Sequence, residues 1–209
     1  PMLSACGRHV LAFNGEIYNH LELRTRLEQG GASPAWRGHS DTETLLACFA
    51  AWGVAETLQA AVGMFAIALW DRQQKVLTLA RDRIGEKPLY YGWQGAALLF
   101  GSELKALRAH PAFLHEIDRD ALTLFIRHNY IPSPCSIYRG IFKLPPGHSV
   151  SFRLSGEGRG ELQPQPQPQP YWQYNEIVAA GLADPFRGSE TEAVDALEHQ
   201  LMRSIGGQM

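Results

Sequence analysis

The chain has 209 residues, of which 45% are hydrophobic and 19% are charged. That is enough for one hydrophobic core with a tail or the start of a second unit. Its 19 basic and 21 acidic residues give a net charge of −2 without a dense Lys/Arg run, which argues against nucleic acid as a partner. The apolar stretches are too short to cross a bilayer, so we expect no membrane association and a cytoplasmic location, unless a preceding segment carries a leader.

Cysteine spacing argues against a structural metal. Cys6, Cys48 and Cys135 show neither a CxxC pair nor a Cys/His arrangement, so we predict no metal site and no disulfide framework. Cys48 falls on the apolar face of a predicted helix and is interpreted as packing. The other two are interpreted as inert loop thiols.

The first predicted elements are a strand and two helices. Residues 8–13 predict a short strand that ends in a tight turn at Asn14-Gly15, because both residues tolerate positive φ. Apolar residues at near-helical spacing over residues 17–27 predict the first helix. The second helix begins after Ser40, which forms a capping-box pattern with Glu43.

The middle of the chain predicts paired strands. Residues 62–69 are apolar on both alternating faces, which indicates a central strand paired with residues 75–80 across a short turn. Two further strands and two short helices are expected next, over residues 89–93, 97–100, 103–108 and 120–128. Strands that follow one another in consecutive pairs indicate an α+β fold.

The composition changes at residue 155. Residues 155–160 are small and polar, and residues 163–170 form a strict Gln-Pro repeat, which favours an extended polyproline conformation. We interpret residues 155–170 as a linker, with a proline-rich docking site for a partner as the alternative. Ser189 and Glu192 then predict a capping box for a last helix, whose apolar face carries Val194, Leu197, Leu201 and Ile205.

Two short constellations could carry chemistry. In Asn14-Gly15-Glu16, a side-chain carboxamide and a flexible backbone N–H can point at one oxyanion, although an Asn-Gly pair alone is usually only a turn. Asp41 and Glu16 can present carboxylates to a substrate ammonium. An acidic first turn that stabilises a helix dipole explains Asp41 equally well without a ligand, and on the residues alone this structural interpretation is favoured.

Six sequence blocks, read together in chain order, favour the functional interpretation over the structural one. They are Phe13 to Asn19, His39 to Glu43, Gly63 to Ala66, Ala80 to Tyr91, Ser102 to Leu107 and Lys143 to His148. Together they resemble the glutaminase domain of glutamine-hydrolysing asparagine synthetases, over Pro1 to about Phe152.

The resemblance implies a fold and a domain organisation. We expect an Ntn-hydrolase-like αββα sandwich, incomplete at its N-terminus, as a class II glutamine amidotransferase domain over residues 1–154. The linker over 155–170 would lead into the first helix of a synthetase domain over 171–209. By position, Asn14 and Gly15 correspond to the oxyanion hole, and Glu16 and Asp41 to residues that bind the substrate glutamine.

The same resemblance implies parts that this chain does not carry. In that family an N-terminal cysteine attacks the glutamine amide with its own α-amine as the base, whereas this chain begins Pro1-Met2-Leu3. We therefore expect the nucleophile to lie outside the chain, and the chain alone to be inactive. Cys6 lacks a free α-amine and does not replace it. No Ser-Gly-Gly-x-Asp-Ser pyrophosphate loop is present, so ATP and Mg²⁺ are expected only in the full-length protein.

Several alternatives stay open at this point. The expected activity is asparagine biosynthesis, with a synthetase domain in cis, but the acceptor could instead be a polysaccharide or antibiotic precursor. A non-catalytic glutamine-binding or interaction module and a homodimer also stay open. Residues 81–83 and 143–148 are interpreted as a buried charge network with a rigid turn, and alternatively as part of an ammonia route.

Overall fold

The computed structural model describes residues 1–153 and 166–208. The strands in these residues are β1 (Met2–Leu3), β2 (His9–Ile17), β3 (Gly63–Asp71), β4 (Val76–Arg81), β5 (Tyr90–Gln94), β6 (Ala97–Gly101), β7 (Phe142–Lys143), β8 (His148–Arg153) and β9 (Gln169–Pro170). The helices are α1 (His20–Gln29), α2 (Asp41–Ala60), α3 (Leu104–Arg108), α4 (Arg119–His128), α5 (Tyr174–Ala183) and α6 (Glu190–Gly206).

The strands form two antiparallel sheets that pack as the inner layers of a sandwich. The larger sheet has the order β1-β2-β3-β4-β8-β9, and the smaller has the order β6-β5-β7. One core cluster joins α1 and α2 to the larger sheet, a second joins the two sheets, and a third joins the smaller sheet to α3. This α/β/β/α layering confirms the predicted α+β sandwich.

The alternation of β3 explains why it lies at the centre. Phe65 and Ile67 pack in the cluster with α1 and α2, whereas Ala66 and Ala68 pack between the sheets. Side chains of successive strand residues point to opposite faces, so a strand buried on both faces must be apolar throughout. The predicted hairpin of this strand with β4 is confirmed, from Ala66↔Arg81 to Asp71↔Val76.

The predicted turn at Asn14-Gly15 is wrong. Strand β2 continues through both residues to Ile17, and Gly15 pairs with Phe65 of β3. The flexible glycine serves a close approach between two strands instead of a reversal of the chain. The first helix consequently begins at His20 and not at residue 17.

The predicted capping box at the start of α2 is also wrong. Ser40 Oγ accepts the N–H of Thr42, as an N-cap does. The Glu43 carboxylate, however, accepts the N–H groups of Arg37 and Gly38 at 3.0 and 3.1 Å, so it stabilises the preceding loop instead of the cap. The second predicted box, at the start of α6, is confirmed.

The end of the Gln-Pro repeat lies against the larger sheet. Residues 155–165 of the predicted linker lie outside the described residues, but β9 pairs with β8 through Ser149↔Gln169. Tyr171 follows directly, packs against the first core cluster and donates its hydroxyl to the Arg81 carbonyl at 2.6 Å. Interpretation of the repeat as a spacer or as a partner-binding segment stays a prediction.

The two C-terminal helices are exposed. No residue of α5 or α6 is buried, and the apolar face predicted for the last helix is 53–60% exposed at Val194, Leu197, Leu201 and Ile205. No helix within residues 1–153 and 166–208 is long and apolar enough to cross a membrane.

Candidate active site

The candidate site lies at the C-terminal end of β2, where the strand presents two polar side chains. Leu11, Phe13 and Ile17 of this strand pack towards α1 and α2. Because successive strand residues alternate, Asn14 and Glu16 lie on the opposite face, and both side chains are exposed. The two predicted site side chains therefore share one face of one strand.

Near its C-terminal end, β2 has backbone N–H groups that point away from β3, towards the other edge of the strand. The Phe65 carbonyl accepts the N–H of Asp82 at 2.9 Å, and its N–H donates to the Asp82 carboxylate at 3.3 Å, so both backbone groups of Phe65 point away from β2. Gly15 stands opposite Phe65, and in an antiparallel ladder its N–H must then also point away from β3. At that edge β1 pairs only with Val10 and Leu11.

Asp41 lies at this same edge. Its Oδ2 accepts the N–H of Ile17 at 3.0 Å, two residues beyond Gly15, where the ladder alternation turns the N–H in the same direction. Its Oδ1 accepts the N–H and the hydroxyl of Thr42 at 2.6 and 3.2 Å. The structure thus brings Asp41 to the strand that carries Asn14, Gly15 and Glu16.

Any side chain at position 15 would clash with the backbone of β3. A Cβ on Gly15 would lie 2.0 Å from the Met64 carbonyl oxygen and 2.7 Å from the Phe65 Cα. Gly63, which pairs with Ile17, approaches β2 as closely, since its Cβ would lie 2.1 Å from the Glu16 carbonyl oxygen. These two glycines let β2 and β3 approach each other where the candidate site begins.

The start of α2, and with it Asp41, is held by Arg24 of α1. This buried guanidinium donates to Thr44 Oγ1 at 2.7 Å and to the carbonyls of Gly38 and Ser40 at 2.9 and 3.1 Å. Its charge also lies 4.1 Å from the centroid of the Trp36 ring. Arg24 was not predicted as a site residue, because most of its partners are loop carbonyls that leave no sequence pattern.

Glu43 also holds the loop before α2 in place. Burial pushes the pKa of Glu43 upwards, but the N–H groups of Arg37 and Gly38 and the Arg37 guanidinium outweigh it and hold the pKa below its ordinary value. The carboxylate therefore stays ionised at neutral pH. The acidic first turn of α2 was predicted to stabilise the helix, but its Glu43 stabilises the preceding loop.

Asn14 has one side-chain partner on the second sheet. Its Nδ2 donates to Ser102 Oγ at 2.9 Å, across 88 residues of sequence. Ser102 directly follows β6 and precedes α3. Ser102 belongs to one of the six matching sequence blocks, but no role was predicted for it.

Acidic side chains surround Tyr18, the residue that directly follows β2. The pKa of Tyr18 is raised by burial and by the negative charges of Glu86, Glu16 and Asp82. The carboxylates of Glu16, Glu86 and Asp82 therefore act together at the end of β2, which makes these surroundings acidic. Such surroundings favour a cationic group of a ligand over an anionic one.

Cys6 lies far from these residues. It is exposed in the turn between β1 and β2, and the Ser4 hydroxyl, 3.3 Å from its Sγ, lowers the pKa of the thiol. Gly15 lies six residues beyond the start of β2, which at about 3.3 Å per residue is about 20 Å along the strand. Cys6 also borders a cavity of about 180 Å³ next to Arg37 and Glu43, whose lining does not include Asn14, Glu16 or Asp41.

The predicted buried charge network at residues 81–83 is confirmed only for Asp82, which is buried, whereas Arg81 and Arg83 are half-buried and all three side chains bond to backbone groups. Arg81 donates to the carbonyls of Lys87, Gly85 and Leu144 at 2.7, 2.7 and 2.9 Å. The Asp82 carboxylate accepts the N–H groups of Gly85, Glu86 and Lys87 at 2.6, 2.8 and 2.9 Å. These contacts fasten the loop after β4 to both sheets. The alternative role in an ammonia route stays a prediction.

Comparison with known proteins finds a matching domain family and several similar sequences. The glutamine amidotransferase domain family matches residues 1–166. The chain is 36% identical over 149 residues to asparagine synthetase [glutamine-hydrolyzing] 3 of Bacillus subtilis, covering 71% of this chain and 24% of that protein. It is 43% identical over 144 residues to a putative asparagine synthetase [glutamine-hydrolyzing] of Mycobacterium tuberculosis, covering 67% of this chain and 22% of that protein.

Solved structures agree at the level of the fold. The glutamine phosphoribosylpyrophosphate amidotransferase of B. subtilis, solved with ADP and GMP, superposes with a TM-score of 0.53 at 18% identity, covering 82% of this chain and 31% of that one. The chain spans about a quarter of the length of the curated relatives it matches.

Proposed function

This chain belongs to the glutamine amidotransferase domain family, and from that premise we propose that it is the glutaminase part of a longer, ATP-dependent amidotransferase. In this proposal the Asn14 carboxamide and the Gly15 N–H donate to the oxyanion that forms on the glutamine side chain. Glu16 and Asp41 bind the substrate ammonium. The observation that carries the proposal is the meeting of all four residues at one end of β2.

The chemistry follows from what these groups can do. When a nucleophile attacks the carbon of the glutamine carboxamide, the carbonyl oxygen becomes negatively charged, and hydrogen-bond donors already aimed at it lower the barrier. Collapse of this intermediate breaks the carbon–nitrogen bond, and the nitrogen takes up a proton and leaves as ammonia. We expect a cysteine thiolate from outside this chain to be the nucleophile, because a thiolate can form the covalent intermediate.

Ion pairing supports the roles of the two carboxylates. Asp41 is oriented by the Ile17 N–H and lies at the N-terminus of α2, and Glu16 is exposed on the adjacent strand. Charge-assisted hydrogen bonds from an ammonium to such carboxylates are about twice as strong as neutral ones. These contacts form in the bound substrate and persist in the transition state, so they contribute mainly to substrate binding.

The acceptor and the cofactors belong to the longer protein. The names of relatives at 34–43% identity support aspartate as the acceptor, to be amidated to asparagine. A polysaccharide or antibiotic precursor is the alternative. We assign ATP and Mg²⁺ to the activation of that carboxylate in a synthetase domain in cis. The longer protein is proposed to be a cytoplasmic enzyme, and its oligomeric state is to be measured.

Ammonia release by the full-length protein tests the catalytic proposal. Asn14→Ala should lower kcat by about 10²–10³-fold, as loss of one oxyanion donor does elsewhere. Asn175→Ala, on exposed α5, is the matched control and should leave kcat unchanged. An unaltered kcat in Asn14→Ala would remove this residue from the mechanism.

The carboxylates separate the enzyme from a non-catalytic module. Glu16→Gln and Asp41→Asn in the full-length protein should each raise the KM for glutamine by about tenfold or more, since a charge-assisted bond of about 1.5–3 kcal/mol is lost. If the full-length protein binds glutamine in calorimetry but releases no ammonia, the non-catalytic module is the correct interpretation.

A further inference from the structure

The contact between Asn14 and Ser102 assigns a role to a residue outside the four described above. We propose that Ser102 is a positioning residue, whose hydroxyl accepts one N–H of the Asn14 carboxamide and thereby directs the other N–H at the oxyanion. The inference rests on the proposed function, because it concerns the same donor. It deepens that function by naming what holds the donor in place.

The need for such a partner follows from the exposure of Asn14. Its side chain lies on the open face of β2, and an exposed side chain moves between rotamers unless a contact restrains it. A primary amide carries two N–H donors. The bond of 2.9 Å to Ser102 Oγ occupies one of them and leaves the second for a ligand.

Ser102 is itself well anchored. Its neighbour Gly101 ends β6 and pairs with Tyr90 of β5. A Cβ on Gly101 would lie 2.9 Å from Leu107 Cδ1, so the side chain of this α3 residue packs directly on the backbone there. The backbone that carries Ser102 is therefore held at a packed junction between the smaller sheet and α3, as positioning groups require.

The simpler explanation, that Ser102 caps α3, does not account for the hydroxyl. The N-cap residue of α3 is Glu103, and its side chain makes no capping bond. The Ser102 hydroxyl instead accepts a hydrogen bond from Asn14 across the sandwich. A contact between residues 14 and 102 adds little to local helix formation, but it fixes the orientation of an amide at the candidate site.

A double-mutant cycle in the full-length protein tests the proposal. Ser102→Ala should lower the kcat of ammonia release by about tenfold, as expected for the loss of one orienting hydrogen bond, with the KM for glutamine changed by less than about twofold. Ser102→Thr keeps the hydroxyl and should restore kcat to within about threefold. Thr123→Ala, which removes an exposed hydroxyl on α4, is the control and should leave kcat unchanged.

The cycle is completed in the Asn14→Ala background. If Ser102 acts through Asn14, then Ser102→Ala should have no further effect on kcat in that background, because coupled residues are not additive. An equal loss of kcat in both backgrounds would overturn the proposal, since Ser102 would then act independently. Urea unfolding of each variant shows whether the fold is intact, and the comparison of the two backgrounds holds even if Ser102→Ala is somewhat destabilised.

Failure of the inference and failure of the proposed function give different results. A large loss in Asn14→Ala with none in Ser102→Ala would overturn the role of Ser102 alone. No loss in either variant would overturn the oxyanion role of Asn14 and the role of Ser102 together.

Discussion

Replacement of Gly15 by alanine is the most direct test of the strand geometry beneath the candidate site. The added Cβ would lie 2.0 Å from the Met64 carbonyl oxygen, whereas ordinary contacts begin at 3.4 Å. The two strands would have to separate by about 1.4 Å, the difference between these distances, at a position two residues from the end of a nine-residue ladder. Overpacking by one methyl group usually costs about 1–3 kcal/mol, and since both neighbours here are backbone atoms we expect about 3 kcal/mol.

Urea unfolding of the 209-residue chain, followed by circular dichroism, measures this cost. A loss of about 3 kcal/mol should lower the melting temperature by about 6–12 °C in a domain of this size. Gly63→Ala should behave alike, because its Cβ meets the Glu16 carbonyl oxygen at 2.1 Å. Gly38→Ala is the control, since no atom lies within 4 Å of its Cβ position.

An unfolding free energy of Gly15→Ala within about 0.5 kcal/mol of the unmodified chain would refute the close approach of the two strands. The expected clash also limits what this variant can say about catalysis. A loss of activity in Gly15→Ala would combine a strand distortion with a displaced N–H, so Asn14→Ala is the cleaner probe of the oxyanion donors.

Two further predictions concern stability away from the site. Arg8 and two backbone N–H groups hold the pKa of buried Asp71 at about 2, against the effect of burial. This lowered pKa stabilises the fold by about 1–2 kcal/mol above about pH 4. The stabilisation is lost as the pH falls towards 2. Asp71→Asn should therefore be less stable at pH 7 and show a flatter acid dependence of the urea midpoint, and an unchanged dependence would contradict this. Tyr171→Phe should lower the free energy of unfolding by about 1 kcal/mol, because it removes the hydrogen bond from the Tyr171 hydroxyl to the Arg81 carbonyl, which holds the segment after the Gln-Pro repeat. An unchanged urea midpoint would show that this hydrogen bond contributes nothing to stability.

Local patterns in the sequence were sufficient for much of the fold. The β3–β4 hairpin was predictable because its apolar run, its turn and its partner lie within about twenty residues, and hairpins have short-range signals. The box at Ser189 and Glu192 is likewise local. By contrast, β8 (His148–Arg153) was missed although its alternating polar residues fit a strand. Its partner β4 lies about seventy residues away, so no short-range hairpin signal marks the pair.

The errors at Asn14-Gly15 and at Glu43 have a common cause. Each local pattern had two structural solutions, and tertiary contacts selected the one that was not predicted. Glycine allows a turn or a close approach, and the partner strand, through Met64 and Phe65, selected the approach. A glutamate at the third helical position can cap the helix or bind a loop, and the N–H groups of the preceding loop selected the loop.

The site shows the same division between near and distant information. The residue types at positions 14–16 and 41 were identified from ordered blocks, but their meeting depends on a bond from the Ile17 N–H to Asp41 across 24 residues. The Asn14–Ser102 bond crosses 88 residues and joins two sheets. Such contacts depend on the packing of whole layers, which local sequence patterns do not encode.

The two halves of the candidate site are held by different layers of the sandwich, and this makes them separable by mutation. Asp41 depends on the helical layer through Arg24, whereas Asn14 depends on the second sheet. Arg24→Lys keeps the charge but loses the fork that reaches the loop carbonyls before α2, so Asp41 should be less well oriented. In the full-length protein we expect a KM for glutamine raised by about tenfold with a kcat changed by less than about threefold, the reverse of the pattern for Ser102→Ala. A fall in kcat at constant KM in Arg24→Lys would mean that the carboxylate end and the oxyanion end are coupled, and that the layers do not position them independently.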